Sequence, residues 1–249
     1  MLNVYKAALG PILLAQARWL RRTALRLPEA AGPRKGVEGE SDSPGEPLRI
    51  LVVGDSSAAG VGVSEQAHAL AQPVAKLLTA RTGKRVAWQL VAKSGVNTRE
   101  ALEFLKHSQL CPADYLVTAL GTNDVTSQRR PTQFLHDYVA LADMLRGRTG
   151  AVGLVVTGLP PLRILPAAPH PLRWYLGRYA IQLDQALREW TEQDSMMRYV
   201  SLDWAARPED MAQDRFHPGP RQYRQWAELV TEKIQSLLAV SESGLAQGS

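Results

Sequence analysis

The sequence predicts an α/β protein: a three-layer α/β/α sandwich around a five-stranded parallel sheet. Two observations carry this expectation. Short runs of consecutive apolar, β-prone residues alternate with longer stretches of helical periodicity, and strands that are apolar on nearly every residue belong to a sheet covered on both faces. Clusters of polar residues fall just after several of those runs, at the strand carboxyl ends where open parallel sheets bind ligands.

In chain order, residues 1–27 read as an N-terminal amphipathic helical segment. Leu13, Ala17, Leu20 and Ala24 keep helical spacing, while Arg18, Arg22 and Arg26 recur every fourth residue. Residues 28–47 are rich in Pro, Gly, Ser and Glu and lack apolar periodicity, so they read as a flexible linker. The folded domain is expected over 48–240. Its first strand is Arg49 to Val53, ending at Gly54, and the helix after it is Gln66 to Thr79, with Pro73 in its first turns or delaying its start. Val86 to Val91 is the second strand, followed by a helix from Asn97 to His107 that Asn97 or Thr98 can cap. Tyr115 to Leu120 is the third strand, and Pro131 suits the first position of the helix that runs to Leu145. Val152 to Thr157 and Tyr199 to Leu202 complete the sheet, separated by a helix from Leu172 to Thr191; Gly219 to Leu238 closes the domain. Residues 241–249 read as a disordered tail.

Composition narrows the function. The 249 residues are 45% hydrophobic and 21% charged, an ordinary globular balance. A chain of this length buries about 70–75% of its unfolded surface without needing a staple. The single cysteine, Cys111, excludes an internal disulfide and a multi-cysteine zinc site, and it has no histidine beside it, so it reads as inert. The net charge of +5 is concentrated in the first 35 residues, which hold seven basic side chains against one acid, Glu29. The body of the chain is therefore close to neutral, which argues against a nucleic-acid partner.

The basic arm has three readings. Lys6 before a short apolar stretch and Ala15-Gln16-Ala17 resemble a signal peptide with a small-x-small cleavage site, but Pro11 and the arginine cluster disfavour export. A helix lying on anionic lipid and a helix packed on its own domain both fit better. The expected location is cytoplasmic or peripheral to a membrane, with export as the alternative. The Gly60-Val61-Gly62-Val63-Ser64 stretch lacks the spacing and the Lys-hydroxyl pair of a phosphate-binding loop, and no dinucleotide fingerprint or metal cluster appears, so no cofactor is expected.

Acyl transfer requires a nucleophile, a base, a group that orients the base and donors for a developing oxyanion. The sequence offers all four at strand ends: Gly54-Asp55-Ser56-Ser57-Ala58-Ala59-Gly60, Lys93-Ser94-Gly95-Val96-Asn97, Gly121-Thr122-Asn123-Asp124 and Asp214-Arg215-Phe216-His217-Pro218. Ser56 sits where a strand turns into a loop of small residues. His217 supplies an imidazole suited to general-base work, and Asp214 lies three residues earlier, within one turn of it. The backbone N–H groups of Ser56 and Gly95 and the Asn123 amide are the candidate oxyanion donors. Asp55 and Asp124 adjoin catalytic candidates and are expected to hold the loops through backbone hydrogen bonds. His68, His107, His136 and His170 lack partners at ligand spacing. The proline-rich stretch Leu159 to Pro171 follows the fourth strand; its Leu159, Leu162, Ile164 and Leu165, with Trp174 and Tyr175, either line an acyl pocket or cover the sheet edge.

These four motifs, in this order over roughly Leu48 to Leu238, resemble the SGNH (GDSL-type) hydrolases. The resemblance implies a flavodoxin-like SGNH hydrolase fold, with Ser56 as nucleophile, Asp214 and His217 as acid and base, and Ser56, Gly95 and Asn123 as the oxyanion hole. An asparagine often found upstream of the family's glycine has no counterpart, Leu90 and Val91 standing there instead. The expected function is that of a serine hydrolase cleaving lipid-like or small acyl carboxylic esters through an acyl-enzyme. A carbohydrate O-acetylesterase or acyl-thioesterase using the same triad is one alternative. A non-catalytic membrane-surface or binding module is another.

Overall fold

The structure, a computed structural model, describes residues 2–40 and 45–247. Strands β1 (Lys35–Glu38), β2 (Leu48–Gly54), β3 (Val86–Ala92), β4 (Tyr115–Ala119), β5 (Gly153–Thr157) and β6 (Met197–Val200) form one sheet in the order β1-β3-β2-β4-β5-β6. The pairings among β2 to β6 are parallel and β1 runs antiparallel to β3. The helices are α1 (Leu2–Thr23), α2 (Ala71–Thr82), α3 (Thr98–Lys106), α4 (Thr122–Thr126), α5 (Pro131–Thr149), α6 (Leu172–Thr191) and α7 (Pro220–Gln247).

The two sheet faces are read from strand alternation. Leu51 and Val53 of β2, Leu116 of β4, and Leu154 and Val156 of β5 pack with α3, α5 and α6. Ile50 and Val52, Val117, and Val155 point the other way, onto α2 and α7. Each strand of the centre thus feeds two cores, which is why every residue of β4 and β5 is buried. The helix ends follow local chemistry: Asn97 and Glu100 make a reciprocal capping box at α3, and Pro131 opens α5.

Several expectations are corrected. The sheet has six strands rather than five, because part of the stretch 28–47 read as a linker forms β1. Backbone pairing along the edge of β3 needs no apolar periodicity, and a short edge strand carrying Lys35 and Glu38 is what such an edge tolerates. Residues 41–44 of that stretch lie outside the described residues. The helix placed at Gln66 begins as a single 3-10 turn (Gln66–His68), and α2 proper starts at Ala71 with Pro73 in its first turn. The last strand is Met197–Val200, two residues earlier than expected. Residues 241–247, read as disordered tail, continue α7, whereas 248–249 lie outside the described residues.

The arm is not detached. Leu13 of α1 joins the core beneath α6. The Gln16 side chain donates to the His170 carbonyl at 2.7 Å and accepts from the Leu172 N–H at 3.0 Å.

Candidate active site

The strand β2 ends in Gly54, where a Cβ would stand 2.5 Å from the Ala119 carbonyl oxygen and 2.6 Å from the Ala58 Cβ. Only glycine lets the chain turn back this close to β4. The turn that follows, Asp55 to Gly60, closes on itself through Ala59 N–H to Asp55 carbonyl (3.0 Å) and Val61 N–H to Ser56 carbonyl (3.0 Å). From α7 the buried Tyr223 hydroxyl lies 2.8 Å from the carbonyls of both Ser57 and Val61. The loop that carries Ser56 is therefore tied down on both sides of it.

The segment before α7 brings in the other half. Arg215 has a left-handed backbone (φ 58°), and Ala212 N–H bonds the His217 carbonyl at 2.9 Å, so Asp214 and His217 lie on one tight turn. His217 Nε2 is 2.8 Å from Ser56 Oγ, and its Nδ1 is 2.5 Å from Asp214 Oδ2. Asp214 Oδ1 accepts the N–H groups of Phe216 and His217, each at 3.0 Å. Burial pushes the Asp214 carboxyl upward, yet the His217 ring, the two amides and the imidazole charge outweigh it and hold the group below the usual carboxylate range. A carboxylate, an imidazole and a hydroxyl, far apart in sequence, form one hydrogen-bonded chain.

The donors surround it. Lys93 N–H bonds the Gly54 carbonyl at 3.2 Å, which pins the Lys93–Asn97 loop beside the Ser56 turn. In that loop Gly95 is left-handed (φ 82°). The N–H groups of Ser56 and Gly95 have no hydrogen-bond acceptor among the described residues. Asn123 differs: its Nδ2 lies 3.1 Å from Asp55 Oδ2 and 3.0 Å from the Val96 carbonyl, so both of its protons already have acceptors.

Asp55 and Asp124 each link two segments of the chain. Asp55 Oδ1 accepts the Ser57 N–H at 3.0 Å while its other oxygen fixes Asn123. Asp124 Oδ2 accepts both the N–H (2.9 Å) and the hydroxyl (2.8 Å) of Thr98, tying the Asn123 turn to the start of α3. Burial raises each carboxyl to about 6.

Next to Asp55, Ser57 and Phe216, sequence neighbours of Ser56 and His217, lies a cavity of about 50 Å³ lined by Leu120, Leu162, Leu165, Trp204, Phe216 and Trp226. The proline-rich stretch contributes Leu162 and Leu165 to this wall, but not Leu159 or Ile164. Trp174 and Tyr175 are elsewhere: Trp174 packs edge-on against Tyr5 of α1, and the Tyr175 hydroxyl donates to Gln128 at 2.5 Å. Glu29 is a residue that composition hid, and it binds the glycine loop through Ser94 N–H at 3.0 Å and Ser94 Oγ at 2.6 Å. Its one advance signal is that it is the sole acid in a basic arm.

A model of the GDSL-like lipase/acylhydrolase family matches residues 52–225, spanning the four motifs. The chain belongs to this family. Among curated proteins, this GDSL-like lipase/acylhydrolase is 26% identical over 192 residues to a GDSL-like esterase of Mycobacterium tuberculosis; the match covers 74% of this chain and 60% of that protein. Among solved structures, a lipase from a goat rumen metagenome superposes with a TM-score of 0.60 at 17% identity, covering 75% of this chain and 97% of the other. AlinE4, an SGNH-hydrolase family esterase, gives a TM-score of 0.55 at 21% identity over 83% of this chain and 98% of its own. The common fold is the SGNH hydrolase sandwich.

Proposed function

We propose that this GDSL-family protein hydrolyses short-chain carboxylic esters through a serine acyl-enzyme. The observation that carries the reading is the continuous hydrogen-bonded chain from Asp214 through His217 to Ser56 Oγ. His217 Nε2 takes the Ser56 proton as Oγ attacks the ester carbonyl, and Asp214 stabilises the imidazolium that forms. The negative oxygen of the tetrahedral species finds the unclaimed N–H groups of Ser56 and Gly95. The Asn123 amide, both of whose protons are held by Asp55 and the Val96 carbonyl, joins them as a third donor by rotating as a unit out of those two contacts. His217 then protonates the departing alcohol, and water repeats the sequence to release the acid.

Cavity size supports a short acyl group. A dry apolar cavity of about 150 Å³ takes up benzene; the space beside Ser57 is about 50 Å³, a third of that and room for an acetyl or propionyl group. The same observation favours a second reading, in which the acetyl group is carried by a sugar. Rates across p-nitrophenyl esters from acetate to laurate, beside acetylated glycans and an acyl-thioester, test both. The reading expects a steep fall beyond about four carbons, loss of turnover in Ser56→Ala, and fluorophosphonate labelling confined to Ser56. Rates that rise with chain length would overturn the acyl-size assignment, and undiminished hydrolysis by Ser56→Ala would overturn the mechanism.

A further inference from the structure

The N-terminal segment contacts two of the loops that form the candidate site. Residues 29–34 lie across two loops at once. Ala30 N–H bonds the Ala59 carbonyl at 3.2 Å, and the buried Gln66 amide bridges the Ala30 and Ala59 carbonyls at 3.1 and 3.0 Å. These contacts join the segment to the nucleophile turn. One residue earlier, Glu29 Oε1 accepts both the N–H and the hydroxyl of Ser94, the residue before Gly95. Its second oxygen is paired with Arg34, whose guanidinium also donates to the Ala92 carbonyl at 2.8 Å, and the Arg34 carbonyl accepts from Leu90 N–H at 2.7 Å. Burial opposes ionisation of Glu29, but the Ser94 hydrogen bonds and Arg34 prevail and hold the carboxyl below its ordinary range. A left-handed glycine with no Cβ has little of its own to fix where its N–H points.

We propose that Glu29 is a positioning residue: held by Arg34, it anchors Ser94 and so fixes the Gly95 N–H for the oxyanion. This rests on the serine-esterase reading above. Removing an oxyanion donor outright lowers kcat by about 10²–10³, so loosening one predicts a fall of about 10- to 100-fold in Glu29→Ala with KM little changed. The tetrahedral adduct of a boronic acid should weaken by a similar factor. Glu29→Gln keeps an acceptor oxygen for Ser94 but turns its NH₂ toward the Arg34 guanidinium, donor against donor, and is expected to recover part of the rate. Since Ser94→Ala removes one of the two hydrogen bonds, combining it with Glu29→Ala should add little further loss. Wild-type kcat in Glu29→Ala, or a Glu29→Gln variant as impaired as Glu29→Ala, would overturn the proposal. Ser56→Ala, assayed alongside, keeps the two claims apart: a dead Ser56→Ala beside a fully active Glu29→Ala refutes the positioning role alone, whereas an active Ser56→Ala refutes the esterase mechanism beneath it.

A different observation carries a second inference. Helix α1 has two apolar faces. One packs on the body through Leu13. On the other, Val4, Ala8, Ile12, Ala15 and Trp19 recur at helical spacing and are all exposed, Val4 to 70%, Ile12 to 50% and Trp19 to 54%. Arg18, Arg21 and Arg22, also exposed, flank this stripe. Among the described residues no helix is long and apolar enough to cross a membrane. We infer that α1 lies on an anionic bilayer surface, its tryptophan and aliphatic side chains in the interface and its arginines on lipid phosphates. The full chain is expected to sediment with phosphatidylcholine vesicles containing phosphatidylglycerol at low salt, and about tenfold less with phosphatidylcholine alone. An Arg18→Glu/Arg22→Glu variant and an Ile12→Ser/Trp19→Ser variant should each lose at least tenfold in vesicle binding while hydrolysing a water-soluble acetate ester at the wild-type rate. Absence of binding at low salt, vesicle binding indifferent to both variants, or a dimer that Trp19→Ser converts to monomer would overturn it.

Discussion

Asp55 is a carboxyl whose burial conflicts with its charge, and Asp55→Asn exposes that conflict. Burial moves its pKa from 3.8 to about 6, against the hydrogen bonds from Ser57 and Asn123 and the charge of His217. The folded state therefore holds this proton more tightly than the unfolded chain does. The associated stability is complete below the unfolded value and is lost as pH rises through about 6, a change of roughly 3 kcal/mol between pH 4 and pH 8. Asparagine cannot ionise, so the variant lacks this loss. It retains an acceptor for the Ser57 N–H but turns an NH₂ group against Asn123 Nδ2, donor against donor, at a pH-independent penalty of about 1–3 kcal/mol. Asp214, whose carboxyl is lowered, contributes stability in the opposite sense, lost as pH falls, in both proteins alike. Thermal melts of both proteins from pH 4 to pH 8 should show the variant gaining on wild type by about 6–12 °C toward alkaline pH. Turnover should fall together with this gain, because the Asn123 amide loses the carboxylate that orients it. Melting curves that track each other in parallel across the pH range would refute the claim that Asp55 is ionised at a cost.

Three further outcomes follow from the same geometry. Asp214→Asn should lower kcat by about 10⁴-fold in an ester assay with the fold preserved, since the amide no longer stabilises the imidazolium. Asn123→Ala should remove about 3–4 kcal/mol of transition-state stabilisation, read as kcat/KM, and a loss below about tenfold would leave the two backbone N–H groups as the whole oxyanion hole. Leu162→Ala, at a buried position on the cavity wall, should destabilise the protein by about 2–5 kcal/mol and extend the accepted acyl chain; an unchanged chain-length profile would place the acyl group elsewhere.

The parts of this site that sequence makes legible are those whose chemistry is local. Asp214 and His217 can meet because they lie three positions apart on one turn, and Gly54 announces itself because a strand end pressed against Ala119 admits no Cβ. The central strands are readable for a similar reason: burial on both faces makes β4 and β5 apolar throughout. What escapes is contact whose energy lies in the main chain or between distant segments. Strand β1 pairs with β3 by backbone alone, so Lys35-Gly36-Val37-Glu38 leaves no hydrophobic pattern to detect. Trp174 sits beside a loop of the right composition and yet packs on Tyr5 of α1, a contact between segments 169 positions apart that composition does not reveal. Glu29 is the sharper case: its neighbours Pro28, Ala30 and Ala31 have the composition of a spacer, and its function depends on Ser94, 65 positions away. A segment that looks disordered by composition is here held by the polar groups it satisfies, so an isolated charge of the minority sign is a better guide to it than its hydrophobicity.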